Sequence, residues 1–211
     1  MKKFFITLFI TTLITGYAEA FSLKQEPTQF TQKEEFQSIT NEANVFYAEN
    51  NIKEAEKLLL TIPDDERSPQ NWLLLGNILQ DEGKFNEAIF MYKLAYETDP
   101  KYYKAYYNLG NIYLQGGKTN MAIEEYKKAI KYKPDYAYAH YNLACAYIKL
   151  EKYSKAKFDL YNAIDLKNTV PEFHYNLAYV LKKLGKEKNA QTYLEHYNKL
   201  KESNYVQGNN F

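Results

Sequence analysis

The feature of this chain that most constrains its fold is a repeat of 34 residues. The hexapeptide YYNLGN at 106–111 returns as HYNLAC at 140–145 and as HYNLAY at 174–179, and WLLLGN precedes them at 72–77. Alanine recurs with the same period at a second position of the repeat, at Ala88, Ala122, Ala156 and Ala190. Self-similarity at such a period is the signature of a solenoid, in which each repeat buries its apolar face against its neighbours.

Within each unit, apolar and small residues recur at the i, i+3, i+4, i+7 spacing of one helix face. In the first full unit these residues are Trp72, Leu75, Gly76 and Leu79. The pattern resembles the tetratricopeptide repeat, a helix-turn-helix unit. The resemblance covers full units at 69–102, 103–136, 137–170 and 171–204, after a degenerate unit at 36–68. The degenerate unit has matching residues at Ala43, Phe46, Ala55, Leu59 and Ile62.

This resemblance implies an all-α fold, a right-handed superhelical solenoid of antiparallel helix pairs spanning residues 33–204. Glycine stands at the turn inside three units, at Gly83, Gly117 and Gly185, where a left-handed C-cap suits it. Glu151 occupies that turn in the third unit, and we expect it to adopt the same conformation at a cost of about 1 kcal/mol. We expect residues 21–32 and 205–211 to be flexible ends.

The first twenty residues have the pattern of a secretory signal peptide. Lys2 and Lys3 precede an apolar run that starts at Phe4, and Ala18 and Ala20 supply the small residues of a cleavage site. The apolar run is shorter than the roughly 20 residues that a membrane-spanning helix needs. We predict an exported protein of a bacterial periplasm, with no membrane insertion after cleavage. A secreted protein and an uncleaved anchor are the alternatives.

Charge excludes one class of partner and suggests another. The whole chain carries 27 basic and 26 acidic residues, so it has no polyelectrolyte reason to bind nucleic acid. The charges are nevertheless separated along the chain. Residues 21–99 carry seven basic and fifteen acidic side chains, and residues 100–211 carry eighteen basic and ten acidic ones. Opposite charges at the two ends favour electrostatic docking that weakens with salt.

The histidines and the single cysteine do not form a pattern that supports catalysis. His140 and His174 occupy the same position of successive units, at a helix spacing of about 10 Å, too far apart to share one metal ion. We therefore interpret them as packing residues, and Cys145 as a small, partly buried one. The chain contains no phosphate loop, nucleophile elbow or zinc-protease motif. The sequence predicts no enzyme activity, no metal and no cofactor.

The candidate binding residues follow from the resemblance. In tetratricopeptide repeats, positions 5, 6 and 9 of each unit face the concave groove. These positions hold Tyr107, Tyr141 and Tyr175, then Asn108, Asn142 and Asn176, then Asn77 and Asn111. A carboxamide offers both a donor and an acceptor to the backbone of an extended peptide, and tyrosine adds aromatic surface with a hydroxyl. The alternative is that asparagine at positions 6 and 9 serves the fold.

These observations predict a non-catalytic scaffold of the cell envelope that holds a protein or an extended peptide in its groove. The alternative is a structural subunit of an envelope assembly that associates with itself, or docks, through its oppositely charged ends. The sequence leaves the oligomeric state open.

Overall fold

The computed structural model describes residues 29–208 of the chain. The predicted signal peptide at 1–20 and most of the predicted flexible N-terminus lie outside the described residues. Throughout 29–208 the regular secondary structure is helical, and no strand is present there. The helices are α1 (Gln29–Ala48), α2 (Ile52–Leu60), α3 (Pro69–Asp81), α4 (Phe85–Thr98), α5 (Tyr103–Gln115), α6 (Thr119–Tyr132), α7 (Ala137–Lys149), α8 (Tyr153–Leu166), α9 (Pro171–Lys183) and α10 (Glu187–Gly208), with a 3₁₀ turn at Asp64–Glu66.

The chain divides into two compact units, with the boundary in the sequence between Ile62 and Pro63. The first unit contains α1 and α2, which pack against each other. The second contains the four full repeats as the pairs α3–α4, α5–α6, α7–α8 and α9–α10, with each pair also packed against the next. The expected all-α solenoid of helix pairs is confirmed.

The turns inside the repeats adopt the left-handed backbone conformation that the sequence predicts. Gly83, Gly117 and Gly185 have φ angles of 76°, 74° and 70°. Glu151 has φ 55° at the equivalent position, so this side chain is held where a Cβ is disfavoured. Asn50, in the degenerate repeat, has φ 63°, and asparagine tolerates this conformation better than most residues.

Helices α1 and α10 extend into two segments that the sequence assigned to the chain ends. Residues 29–32, expected to belong to a flexible end, form the first turn of α1, and residues 205–208 continue α10 past the last repeat. Proline or glycine would interrupt a helix, and neither occurs between Gln29 and Ala48. The second helices of the first two repeats end just before Pro100 and Pro134, whereas no proline follows α10. The helix therefore continues until Gly208.

The core of each repeat depends on a small residue at position 8 facing a larger one at position 24. A Cβ added to Gly76 would lie 2.4 Å from Cε1 of Tyr92, and one added to Gly110 would lie 2.5 Å from Cε1 of Tyr126. Both rings are fully buried. The third repeat has Ala144 and Leu160 at these positions, and the fourth has Ala178 and Leu194. Where position 8 holds alanine instead of the smaller glycine, position 24 thus holds leucine instead of the larger tyrosine.

Candidate functional site

The predicted asparagines bond to one another across neighbouring repeats. Asn108 Nδ2 donates to Asn77 Oδ1 at 2.8 Å, and Asn142 Nδ2 donates to Asn111 Oδ1 at 2.8 Å. The third step has the same geometry with a weaker acceptor, since Asn176 Nδ2 lies 3.4 Å from Cys145 Sγ. Position 6 of the second, third and fourth repeats therefore donates to position 9 of the preceding repeat. We call these six residues the amide ladder.

In the first two repeats a tyrosine also donates a hydrogen bond to the ladder from within the same repeat. The Tyr92 hydroxyl donates to Asn77 Oδ1 at 2.8 Å, and the Tyr126 hydroxyl donates to Asn111 Oδ1 at 2.9 Å. Both tyrosines come from the second helix and reach the first helix of the same repeat. The oxygen at position 9 thus accepts two bonds, one from its own repeat and one from the next.

The tyrosines at position 5 also bond to the following repeat. Asn142 Nδ2 lies 3.1 Å from the Tyr107 hydroxyl, and Asn176 Nδ2 lies 3.0 Å from the Tyr141 hydroxyl. Burial is the main cause that raises the pKa of Tyr107 and of Tyr141 above the usual value, so both hydroxyls stay protonated at neutral pH. They accept the amide hydrogen and keep their own hydrogen for another acceptor.

The ladder bonds use the side-chain nitrogen of the asparagines at position 6 and the side-chain oxygen of the asparagines at position 9. Oδ1 of Asn108, Asn142 and Asn176, and Nδ2 of Asn77, have no hydrogen-bond partner among residues 29–208. These asparagines are each partly exposed. One side-chain oxygen at position 6 of each of the second to fourth repeats therefore remains available as an acceptor, and Asn77 Nδ2 remains available as a donor. Asparagine at these positions serves the fold and retains a free polar atom.

An aromatic surface adjoins the ladder in the second to fourth repeats. Tyr136 packs edge-on against Tyr107 and Tyr103, with ring centroids 5.1 Å apart in both pairs. Tyr138 and Tyr141 both contact Phe173, at 5.7 Å and 4.7 Å. The tyrosine rings are partly exposed, whereas Phe173 is buried beneath them. This gives a row of amphipathic rings, which suits the contact surface of a protein ligand.

The last repeat leaves its tyrosines most exposed. Tyr175, at position 5, is 50% exposed, and Tyr179, at position 9, is 40% exposed. Beside them lies an open cleft of about 300 Å³, lined by residues of α9 and α10. Its walls include Tyr175, Ala178, Tyr179, Lys182, Gln191 and Leu194. Of the predicted groove residues, Tyr175 is thus the one most accessible to a partner.

The histidines are packed inside the repeats, as the sequence predicted. His140 and His174 are 8% and 5% exposed, and their Nε2 atoms donate to the carbonyl oxygens of Pro134 and Asn168 at 2.9 Å and 2.8 Å. His140 Nδ1 also lies 3.3 Å from Asp159 Oδ1, a partner that no sequence pattern indicated. Within 29–208 no group of three or more potential metal ligands occurs. None of the helices there has the length and hydropathy of a bilayer-spanning segment.

Comparison with known families and structures agrees with this architecture. A model described as TPR repeat matches residues 76–117 and 110–151, and one described as Tetratricopeptide repeat matches 137–169 and 171–204. No curated protein matches the chain. The chain belongs to the tetratricopeptide-repeat proteins. Its fold is that of a protein-interaction scaffold, a fold that is generally non-catalytic.

Solved structures of MamA proteins are similar in fold. One, a MamA RS-1 double mutant, has a TM-score of 0.69 at 20% identity, covering 80% of this chain and 96% of that one. A crystal structure of MamA has a TM-score of 0.68 at 21% identity over 78% and 96%. MamA 41-end from Desulfovibrio magneticus RS-1 gives 0.68 at 20% identity over 80% and 96%. At these identities the likeness concerns the fold alone.

Proposed function

We propose that this protein is a non-catalytic scaffold that holds an extended peptide segment of a partner protein along the amide ladder. The observation that carries the proposal is the row of unbonded side-chain oxygens at position 6, which recur at the repeat spacing in Asn108, Asn142 and Asn176. A side-chain oxygen at position 6 can accept from a peptide N–H, and a side-chain nitrogen at position 9 can donate to a peptide carbonyl. Such contacts recognise the backbone, whatever side chains the peptide carries.

The tyrosines beside the ladder would supply the rest of the binding energy. Tyr107, Tyr141 and Tyr175 combine apolar surface with a hydroxyl and lose little conformational entropy when they are covered. The ladder also fixes the amides in place before a ligand arrives, because each is already bonded to a neighbouring repeat. Preorganisation of this kind lowers the entropic cost of binding.

The cellular setting of the proposal is the bacterial envelope. It is supported by the signal-peptide pattern of residues 1–20 alone, which lie outside the described part of the chain. Partners of such a protein would be exported proteins, or periplasmic segments of membrane proteins.

Selection of a linear-peptide display library against the purified protein would test the proposal. Selected peptides would then be measured by fluorescence polarisation against a variant with Asn108, Asn142 and Asn176 all replaced by alanine. We expect the variant to bind at least about tenfold more weakly, a loss of about 1.4 kcal/mol. The matched control replaces Asn86, Asn120 and Asn189, three exposed asparagines on second helices, and should bind as the wild type does.

Circular dichroism of both variants must show that the helices are retained, since the ladder also contributes to the fold. Equal peptide affinity in the folded ladder variant and the wild type would contradict the proposed site. Failure of the library to yield any binding peptide would contradict peptide recognition altogether.

A further inference from the structure

The third and fourth repeats are joined to the preceding repeat by the same hydrogen bonds. Position 6 donates to positions 5 and 9 of the preceding repeat, as Asn142 does to Tyr107 and Asn111. Asn108 of the second repeat donates to position 9 alone, because position 5 of the first repeat is Leu73. Position 10 lies one helical turn further along the same face. It holds Ile112, Ala146 and Val180 in the second to fourth repeats, and all three are at most 6% exposed. The side of this interface that contacts the preceding repeat is therefore marked by an asparagine at position 6 and an apolar residue at position 10. We call it the entering side.

The last repeat presents the receiving side of this interface, and no further repeat among the described residues packs on it. Tyr175 and Tyr179 stand at positions 5 and 9, the positions whose atoms accept from Asn142 and Asn176 in earlier repeats. Tyr175 contacts Tyr197 and Tyr179 contacts Tyr153, with ring centroids 5.2 Å and 6.3 Å apart, yet the two rings remain 50% and 40% exposed beside the cleft of about 300 Å³. We call it the tail face.

The first helix presents the entering side, which no residue between 29 and 208 covers. Counted from residue 36, Asn41 is at position 6 and Val45 at position 10 of the degenerate repeat. Asn41 is exposed, and its Nδ2 has no acceptor among the described residues, because its one hydrogen bond is accepted by Oδ1 from Gln37. Val45 is 55% exposed, although its counterparts in later repeats are buried. We call this surface of α1 the head face.

Charge favours the pairing of these two faces. Helix α1 carries three glutamates and one lysine, whereas residues 171–208 carry six lysines and four glutamates. The repeat interface also suggests which charges would meet. Lys149, at position 13, reaches the backbone oxygen of Leu114, at position 12 of the preceding repeat. Exposed Glu49, at position 14 of the degenerate repeat, is one residue past the position of Lys149, so this register would bring it near Lys182, at position 12 of the last repeat.

We propose that copies of this protein associate head to tail, with the head face of one copy docked on the tail face of the next as if it were a fifth repeat. Asn41 would donate to Tyr175 or Tyr179, and Val45 would cover the cleft. The contact is heterologous, so it joins copies into rings or filaments rather than into a closed two-fold dimer. It does not depend on peptide binding at the amide ladder.

Sedimentation velocity of the purified protein over a range of concentrations, at low and high salt, tests this inference. We expect concentration-dependent association that weakens as salt rises. Val45→Lys on the head face and Tyr179→Lys on the tail face should each weaken self-association by at least about tenfold. Phe158→Lys removes a 65% exposed aromatic side chain from α8, away from both faces, and serves as the matched control.

Mixing the two variants gives the decisive measurement. Each variant retains one intact face, so the mixture of Val45→Lys and Tyr179→Lys should form a heterodimer and stop there. A wild type that is monomeric at every concentration and salt would overturn the proposal. So would association that both variants leave unchanged, that Phe158→Lys weakens equally, or that the mixture fails to restore.

Discussion

Gly110 and Tyr126 form a matched pair across the two helices of the second repeat. A Cβ on Gly110 would lie 2.5 Å from Cε1 of Tyr126, closer than carbon atoms can approach. The same ring places its hydroxyl 2.9 Å from Oδ1 of Asn111, the residue that follows Gly110. The glycine thus makes room for the tyrosine that braces the amide ladder, which links packing in the core to the geometry of the candidate site.

Gly110→Ala should therefore destabilise the protein by about 1–3 kcal/mol, the usual cost of overpacking a rigid core. Tyr126→Leu should also destabilise it, because a large buried side chain is lost. The double variant reproduces the alanine–leucine pair of the third repeat, so we expect its loss to be smaller than the sum of the two single losses. Urea unfolding followed by circular dichroism measures all three. Additive losses would contradict the pairing.

The fold was predictable from the repeat period because the same packing pattern recurs in every full repeat. The paired helices, the left-handed turns and the conformation of Glu151 all follow from positions that recur in the sequence. The ends were not predictable in this way, because a terminal helix has no neighbour whose pattern defines its limit. Helix α10 accordingly runs to Gly208, beyond the last position of its repeat.

The site residues were predictable as a column, but their bonding was not. Positions alone do not say that Asn142 donates to the previous repeat while its oxygen stays free. One signal in the sequence could have indicated it. In the first two repeats position 9 is asparagine and position 24 is tyrosine, as in Asn77 and Tyr92. In the third repeat the same two positions are Cys145 and Leu160. This joint change marks a contact between the two positions.

The turn at Glu151 offers a stabilising substitution. Glycine adopts a positive φ without steric penalty, so Glu151→Gly should stabilise the protein by about 1 kcal/mol. The reverse change at the equivalent turn, Gly117→Glu, should destabilise it by a similar amount, since no atom within 4 Å of the added Cβ would compensate. The midpoints of thermal unfolding of the two variants should move in opposite directions. A lower midpoint for Glu151→Gly would contradict the expectation that the backbone at Glu151 is strained.

The hydrogen bonds that link successive repeats in the amide ladder should differ in strength. Asn142 donates to an amide oxygen, whereas the equivalent Asn176 donates to a cysteine sulfur, a weaker acceptor. Asn142→Ala should therefore cost more than Asn176→Ala, with about 1–2 kcal/mol expected for the former. Urea unfolding of the two variants, compared with Asn120→Ala as an exposed control, gives the order. Equal costs for all three would show that the ladder does not contribute to stability.

Processing of the N-terminus is a direct test of export. If residues 1–20 are a signal peptide, protein recovered from the periplasm of an expressing bacterium should begin at Phe21. Intact-mass measurement and N-terminal sequencing would establish this. Ala20→Pro, which disrupts the residue before the expected cut, should leave the precursor uncleaved. An unprocessed wild-type chain in the cytoplasm would contradict export, and an unprocessed chain in the membrane fraction would support the anchor.

His140 should make stability depend on pH. Burial alone would lower the pKa of its imidazole, but bonds to Asp159 and to the Pro134 carbonyl, with the charge of Asp159, together raise it above the usual value. Because the folded chain binds this proton more tightly than the unfolded chain does, the stabilisation is complete below the ordinary histidine pKa of about 6.5 and is lost as pH rises through the folded value.

Asp159→Asn isolates this contribution, because it removes the carboxylate that lies 3.3 Å from His140 Nδ1 and changes no other residue. The free energy of unfolding, measured in urea from about pH 5 to about pH 9, should fall more steeply for the wild type above the ordinary histidine pKa. The gap between the two proteins should therefore narrow as pH increases. A gap that stays constant, or that widens at high pH, would contradict a protonated His140 in the folded protein.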